Sequence, residues 1–302
     1  MNPSPDILCI GSVLWDIIGR TEMALATRRD MGGLITRLPG GVAMNIAMTL
    51  ARFGMAPAVL TAIGGDPEGD ELLQAVAQLG VDTRFAHRIA ERPTDRYMAI
   101  EDATGLVAAI ADAHTLEAAG ADILQALHDG RLATAQQPWA GQIALDGNLT
   151  AELLAEIAGS PIFSAADLRI APASPGKAER LLPVMAHPRA TLYVNRQEAE
   201  LLCETAFDGS RAAAEGLVAK GAARALVTDG GTDASDAARG AETFTRPAHV
   251  VRPRRITGAG DTFMAAHIYA ESRGAERADA LKQAQAAAAA YVAFADDGEN
   301  GD

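Results

Sequence analysis

Along almost the whole chain, short and nearly unbroken apolar runs alternate with segments whose apolar positions recur at helical spacing. The runs are 6–11 (DILCIG), 58–64 (AVLTAIG), 143–147 (IALDG), 161–165 (PIFSA), 191–195 (TLYVN) and 225–230 (ALVTDG). Their length and apolar continuity predict strands buried on both faces, several ending in Gly, Asp or Asn where a loop takes over. The helical period predicts helices at 42–53, 69–79, 117–128, 150–158, 177–186, 196–204, 210–220, 261–273 and 277–295. In 42–53, Val42, Ile46, Leu50 and Phe53 form a core-facing stripe, with Ala43, Ala47 and Ala51 beside it. Such alternation predicts an α/β fold: a mainly parallel sheet covered by helices on both faces, with right-handed connections.

Two segments break the rhythm and read as hairpins, 12–38 and 93–112. In the second, YMAIEDATGLVAAI has two strand-compatible arms around Thr104-Gly105. A small β-subdomain inserted between strands of the main sheet is the simplest account, and such a flap covers a ligand or pairs between subunits. No repeat or low-complexity linker divides the 302 residues, so a single domain, 1–302, is expected.

Composition works here mainly by exclusion. Hydrophobic residues at 49% and charged residues at 22% are ordinary for a soluble globular chain. A net charge of −13 argues against a nucleic-acid backbone or an anionic membrane as partner. The longest apolar run, AAAAAYVAFA at 286–295, is too short to span a bilayer, and MNPSPDILCIG has no basic n-region. A cytoplasmic protein is expected. Cys9 and Cys203 lack metal-ligand spacing and read as packing residues, and the six histidines show no metal spacing either. There is no P-loop, no G-x-G-x-x-G after the first strand and no G-x-S-x-G elbow.

Four places carry candidate chemistry, each with a plain structural alternative that stays open. Asp16 follows the first strand, where ligands of open α/β sheets bind, and its carboxylate offers acceptors for two hydroxyls; it also suits a surface turn. Gly40 and Gly41 stand at a helix entrance, where a ligand can approach bare backbone, and Asn45 falls in the first turn. Asn195 and Glu198 have the spacing of a capping box, and the same pair suits water-held Mg²⁺. In TGAGD, Gly258, Ala259 and Gly260 expose N–H groups at a helix N-terminus, an anion site, with Asp261 directly behind. Asp261 reads either as a cap or as a base that takes a hydroxyl proton during phosphoryl transfer.

The order of these sites, a post-strand Asp, then GGVAMNIA, NRQEAE, a T-x-G-G turn and ITGAGDTFMAA, resembles the ribokinase-like (PfkB) carbohydrate kinase family over nearly the whole chain. The resemblance implies a three-layer α/β/α domain with a β-sheet lid at 12–38 and 93–112, and ATP-dependent phosphorylation of a sugar or nucleoside hydroxyl. By matching position, Asp261 is the implied base and Gly258, Ala259 and Gly260 the anion hole. Ser12, Asp16, Gly40, Gly41 and Asn45 are implied sugar contacts, with Thr94, Arg96 and Asp112 from the lid. Asn195, Thr228, Gly230, Gly258 and Gly260 would meet the nucleotide, and Glu198 would hold Mg²⁺ through water. A homodimer through the lid is implied as well. PGGVAMNIA, TDRYMAIEDATGLVAAIAD and NRQEAELL are most similar to the pseudouridine kinase group, which implies phosphate on the 5′-hydroxyl of a C-nucleoside. Ribokinase, fructokinase and 2-keto-3-deoxygluconate kinase types are the alternatives, together with a catalytically silent sugar-binding or nucleoside-binding relative. Three features depart from the family pattern. Arg255 stands where Asp or Asn is frequent, which speaks against a monovalent-cation site. The Asp-Pro pair common in the pseudouridine group is missing after 161–165, though Lys177 stands near that loop. The turn at 229–236 is unusually acidic.

Overall fold

Ile7, Leu8, Cys9 and Ile10 are all buried, yet they belong to two different cores. Ile7 and Cys9 pack with the helices Val42–Arg52, Pro67–Gln78, Ala259–Ser272 and Arg277–Ala293. Leu8 and Ile10 pack with His114–Ala119, Ala151–Gly159, Arg196–Cys203 and Ser210–Lys220. Side chains alternate across a strand, so an all-apolar run needs a helical layer on each side. The computed structural model, which describes residues 4–24, 30–253 and 255–294, supplies both layers.

The main sheet has eight strands in the order Phe244–Pro247, Asp233–Ala238, Arg224–Thr228, Ala190–Asn195, Asp167–Ala171, Gln142–Asp146, Ile7–Ile10, Pro57–Leu60. From Arg224–Thr228 to Pro57–Leu60 every pairing is parallel, and the first two strands are antiparallel additions at the edge. The chain leaves Ile7–Ile10 toward Pro57–Leu60 on one side and later builds outward from Gln142–Asp146 on the other. Connections therefore diverge between Ile7–Ile10 and Gln142–Asp146, which opens a crevice at their carboxyl ends.

A second sheet of four strands has the order Leu34–Gly40, Leu14–Arg20, Arg96–Asp102, Gly105–Asp112. It is built from the two expected hairpin segments, of which residues 25–29 lie outside the description, as does the last residue of the 277–295 segment. No described helix is long and apolar enough to cross a membrane.

Three expectations need correction. Segment 161–165 is not a strand: Pro161–Phe163 is a short 3-10 turn, and Asp167–Ala171 is the strand. Proline after extended Ser160 favours a helical start, while Ile162 and Phe163 are buried by packing alone. The true strand was hidden because Arg169 interrupts its apolar run. Segments 117–128 and 177–186 are each broken into a short α-helix and a 3-10 stretch, the first at Gly120 with φ of 49°. Finally, the acidic turn at 229–236 runs into the strand Asp233–Ala238, whose Asp and Ala residues have little strand propensity.

Arg169 is tolerated inside because a charge network surrounds it. Its guanidinium reaches Asp167 at 2.6 Å and Glu271 at 2.5 Å, and Arg224 joins Glu271 at 2.7 Å to Asp236 at 2.6 Å. Arg277 adds a second ion pair to the fully buried Asp236. His267, also fully buried, bonds the Tyr193 hydroxyl at 2.9 Å, and burial pushes its pKa down to about 3, leaving it neutral. Glu271 lies near the end of Ala259–Ser272, so these pairs pin the far end of the helix that begins at the candidate site.

Candidate active site

The crevice is closed at its base by a bond between its two walls. Ser12 N–H donates to Asp146 Oδ2 at 2.8 Å, and the Ser12 hydroxyl donates to the same oxygen. Val42 N–H donates to Ser12 Oγ at 3.0 Å, and Met44 N–H to the Ser12 carbonyl at 3.2 Å, so Ser12 also satisfies the open N-terminus of Val42–Arg52. Gly41 is required here: its φ is +97°, and a Cβ would collide with Ser12. Ser12 is thus 2% exposed and engaged with protein groups, a floor of the site. Asn148 extends the floor, donating to Ser12 Oγ at 3.0 Å and accepting from Lys177 Nζ at 2.6 Å.

Above the floor, the second sheet carries Asp16. Its register sets Leu38 on one side of Asp16 and Tyr97 on the other, with Ala111 beyond Tyr97. Directly paired residues share a face, so Leu38, Asp16, Tyr97 and Ala111 form one row. The next row is Trp15, Arg96 and Asp112, on the opposite face. Asp112 is accordingly paired with His114 at 2.6 Å, and Arg96 with Glu68 at 2.7 Å. Thr94 is buried, and its N–H and hydroxyl both donate to Asp66, the cap of Pro67–Gln78. The structure therefore does not bring Thr94, Arg96 or Asp112 to Asp16; it brings Tyr97 and Leu38. Gly40 lies so close that a Cβ there would overlap the Asp16 carboxyl, and burial pushes the Asp16 pKa up to about 6.

On the far wall, Asn45 Nδ2 donates to Asp261 Oδ2 at 2.8 Å. Gly258, with φ of +86°, caps Ala259–Ser272, placing Gly260 and Asp261 in the first turn, whose N–H groups have no preceding helical partner. The Ala259 N–H instead donates to the Ile256 carbonyl at 3.0 Å. A Cβ on Gly260 would meet open space, whereas one on Gly258 would strike the Tyr291 hydroxyl. Burial pushes the Asp261 pKa up to about 7; Asn45 opposes this, and the charges of Asp146, Asp16 and Glu198 reinforce it. A carboxyl titrating near neutrality is suited to taking a proton.

The capping box between Asn195 and Glu198 is fully formed. Asn195 Oδ1 accepts from the Glu198 N–H at 2.9 Å, and Glu198 Oε2 accepts from the Asn195 N–H at 2.8 Å. Burial nevertheless pushes the Glu198 pKa up to about 7, and its charge is felt by Asp261. The described residues contain no group of three or more ligands that would cage a metal directly. Thr228 ends its strand, and Gly230 follows with φ of +54°. The acidic turn beside them is neutralised in part: Arg196 holds Asp229 at 3.0 Å and Asp236 faces inward to Arg224 and Arg277, whereas Asp233 keeps a buried oxygen with no hydrogen-bond partner among the described residues.

Sequence reasoning missed Asp146, Asn148 and Tyr97. Asp146 ends a strand within the run IALDG, and that position was the available signal. Tyr97 is identified only by its register against Asp16.

A family model, pfkB family carbohydrate kinase, matches residues 4–297. An Escherichia coli (strain K12) protein described as an uncharacterized sugar kinase is 30% identical over 291 residues, 93% of this chain and 76% of that protein. The pseudouridine kinase of the same strain is 29% identical over 273 residues, 88% of this chain and 83% of that one. Among solved structures, a carbohydrate kinase from Agrobacterium tumefaciens aligns with a TM-score of 0.76 at 26% identity, covering 94% of this chain and 89% of the other.

Proposed function

The chain belongs to the pfkB family of carbohydrate kinases, phosphotransferases acting on sugars or nucleosides, and on that premise we propose that it moves the γ-phosphoryl group of ATP to a primary hydroxyl of a ribose-type sugar or nucleoside. Pseudouridine, converted to its 5′-phosphate, is the substrate we favour, since a relative of that name aligns over 88% of the chain. One observation carries the reading: Asp261, with its pKa raised to about 7, heads a helix behind a bare Gly-Ala-Gly turn while hydrogen-bonded to Asn45 of the Gly40-Gly41 helix.

In this mechanism Asp16 accepts hydrogen bonds from sugar hydroxyls, and the absence of side chains at Gly40 and Gly41 lets the sugar lie against backbone. Asn45 orients Asp261. The acceptor oxygen bonds to the γ-phosphorus as the bond from that phosphorus to the bridging oxygen breaks, its proton passes to Asp261, and ADP leaves. N–H groups of the Gly258–Gly260 turn stabilise the charge that builds on the transferred group. Asn195 and Glu198 would hold, through water, a Mg²⁺ ion whose charge offsets that of the phosphates. Thr228 and Gly230 flank the nucleotide. The second sheet serves as the lid of one kinase domain, with Tyr97 and Leu38 facing the group attached to the sugar, and two copies pair through it. The Arg partners of Asp229 and Asp236 lessen the electrostatic objection to nucleotide binding.

The test is ADP release with Mg²⁺–ATP across pseudouridine, ribose, uridine, adenosine, fructose and 2-keto-3-deoxygluconate. Turnover of pseudouridine above the others is expected. Silence across the panel, with ligand-induced thermal stabilisation retained, would overturn the kinase reading.

A further inference from the structure

Tyr291 lies in the last turn of Arg277–Ala293, remote in sequence from the Gly-Ala-Gly turn, yet its hydroxyl donates to the Thr257 carbonyl at 2.8 Å. The same hydroxyl sits where a Cβ on Gly258 would be. Arg255 in turn fixes Tyr291. Its guanidinium centre stacks 3.7 Å from the centroid of the Tyr291 ring, and its Nε donates to the Tyr291 carbonyl at 3.0 Å. The Arg255 N–H adds a bond to the Val292 carbonyl at 3.4 Å. These carbonyls belong to the final turn of a helix, where acceptors lack helical partners and a cation is favoured by the helix dipole.

The consequence follows from peptide planarity. The Thr257 carbonyl and the Gly258 N–H belong to one rigid plane and point in opposite directions. Anchoring the carbonyl to Tyr291 therefore aims the Gly258 N–H away from the C-terminal helix. Glycine at 258 has no side chain to limit its backbone, so something outside the turn must hold this peptide. We propose that Tyr291 and Arg255 are positioning residues, a clamp that sets the direction of the Gly258 N–H in the anion-binding turn. Its effect on catalysis rests on the kinase reading above; its effect on the turn does not.

Tyr291→Phe removes the hydroxyl and keeps the ring on which Arg255 stacks. Loss of one such hydrogen bond is expected to speed amide exchange at Ala259, whose N–H is bonded to the Ile256 carbonyl in the same turn, by about tenfold as measured by NMR, with exchange in the sheet unchanged. On the best substrate of the panel, kcat should fall about tenfold while the KM for sugar stays constant, because the hydroxyl holds the phosphate-side turn. Arg255→Ala should give the same pattern, and millimolar guanidinium should restore part of its kcat without helping Tyr291→Phe. A general loss of stability would instead accelerate exchange everywhere and would not be reversed by guanidinium. Unchanged exchange at Ala259 in Tyr291→Phe would overturn the clamp. Faster exchange with unchanged kcat in an active enzyme would overturn its catalytic role, and faster exchange in a protein inactive on every substrate would sustain the clamp while refuting the kinase reading.

Discussion

The side-chain amide of Asn45 donates to Asp261 Oδ2 at 2.8 Å across 216 positions of sequence. One residue sits in the first turn of Val42–Arg52 and the other in the first turn of Ala259–Ser272, and both helices cover the same face of the sheet. The bond joins a helix entrance suited to a polyhydroxylated ligand to one suited to an anion, which is the geometry that hydroxyl phosphorylation needs.

Asp261→Asn should leave sugar affinity and far-UV circular dichroism intact while kcat falls by roughly 10²–10⁴-fold, the usual contribution of a positioned base. Steady-state kinetics with isothermal titration of the sugar checks this, and a variant retaining most of its kcat removes Asp261 from the mechanism.

The raised Asp261 pKa also sets a pH dependence. A base must be ionised, so kcat/KM should climb as pH rises toward about 7 and level off above it. Stability has the opposite sign. With an unfolded value near 3.8 and a folded value of about 7, the folded state holds its proton longer, so this group's stabilisation is lost as pH rises through that interval. Asp261→Asn should therefore melt above the wild type at pH 8, and the gain should vanish near pH 4 in thermal scans.

Gly40→Ala would drive a methyl group into the Asp16 carboxyl. Hydrogen bonds to a charged group are worth about 1.5–3 kcal/mol, so displacing Asp16 should raise the KM for sugar by roughly tenfold or more with little change in melting temperature. An unaltered KM would mean that Asp16 does not hold the sugar.

Ile35, Met98 and Ile110 are 75%, 50% and 70% exposed on the face of the second sheet opposite Asp16. An apolar face of this kind is expected to be covered by a second copy. Light scattering should find a dimer, and Met98→Glu/Ile110→Glu should be monomeric with unchanged far-UV circular dichroism; a monomeric wild type at assay concentration contradicts pairing.

Arg224→Met leaves the fully buried Asp236 with Arg277 alone and removes one partner of Glu271. Breaking a buried ion pair typically destabilises by about 3–5 kcal/mol, and the surviving Arg277 places this case at the lower end. Chemical denaturation should register that loss, while the KM for sugar is unchanged because the network lies at the far end of the Asp261 helix.

Local pattern sufficed for much of the molecule. Burial on two faces produces continuous apolar strands, and burial of one stripe produces the helical period, so the layered sheet and most helices could be read directly. The same held for the Gly40-Gly41 entrance, the Asn195–Glu198 spacing and the bare turn before Asp261, because each depends on residues within a few positions of one another. What local pattern could not decide were contacts made by register and long-range closure. Arg169 concealed a strand because its compensating charges, Asp167 apart, come from a distant helix. Arg96 and Asp112 were implied as lid contacts and Tyr97 was passed over, until strand pairing put Tyr97 in the row of Asp16 and the other two in the next row, since a shift of one residue reverses which face a side chain occupies. Ser12 read as a ligand contact until Asp146, 134 positions away, took up its N–H and hydroxyl. Sequence alone determined most of the elements and the residue types at their ends; tertiary structure decided which of those ends meet, because a hydrogen bond acts over about 3 Å regardless of separation along the chain.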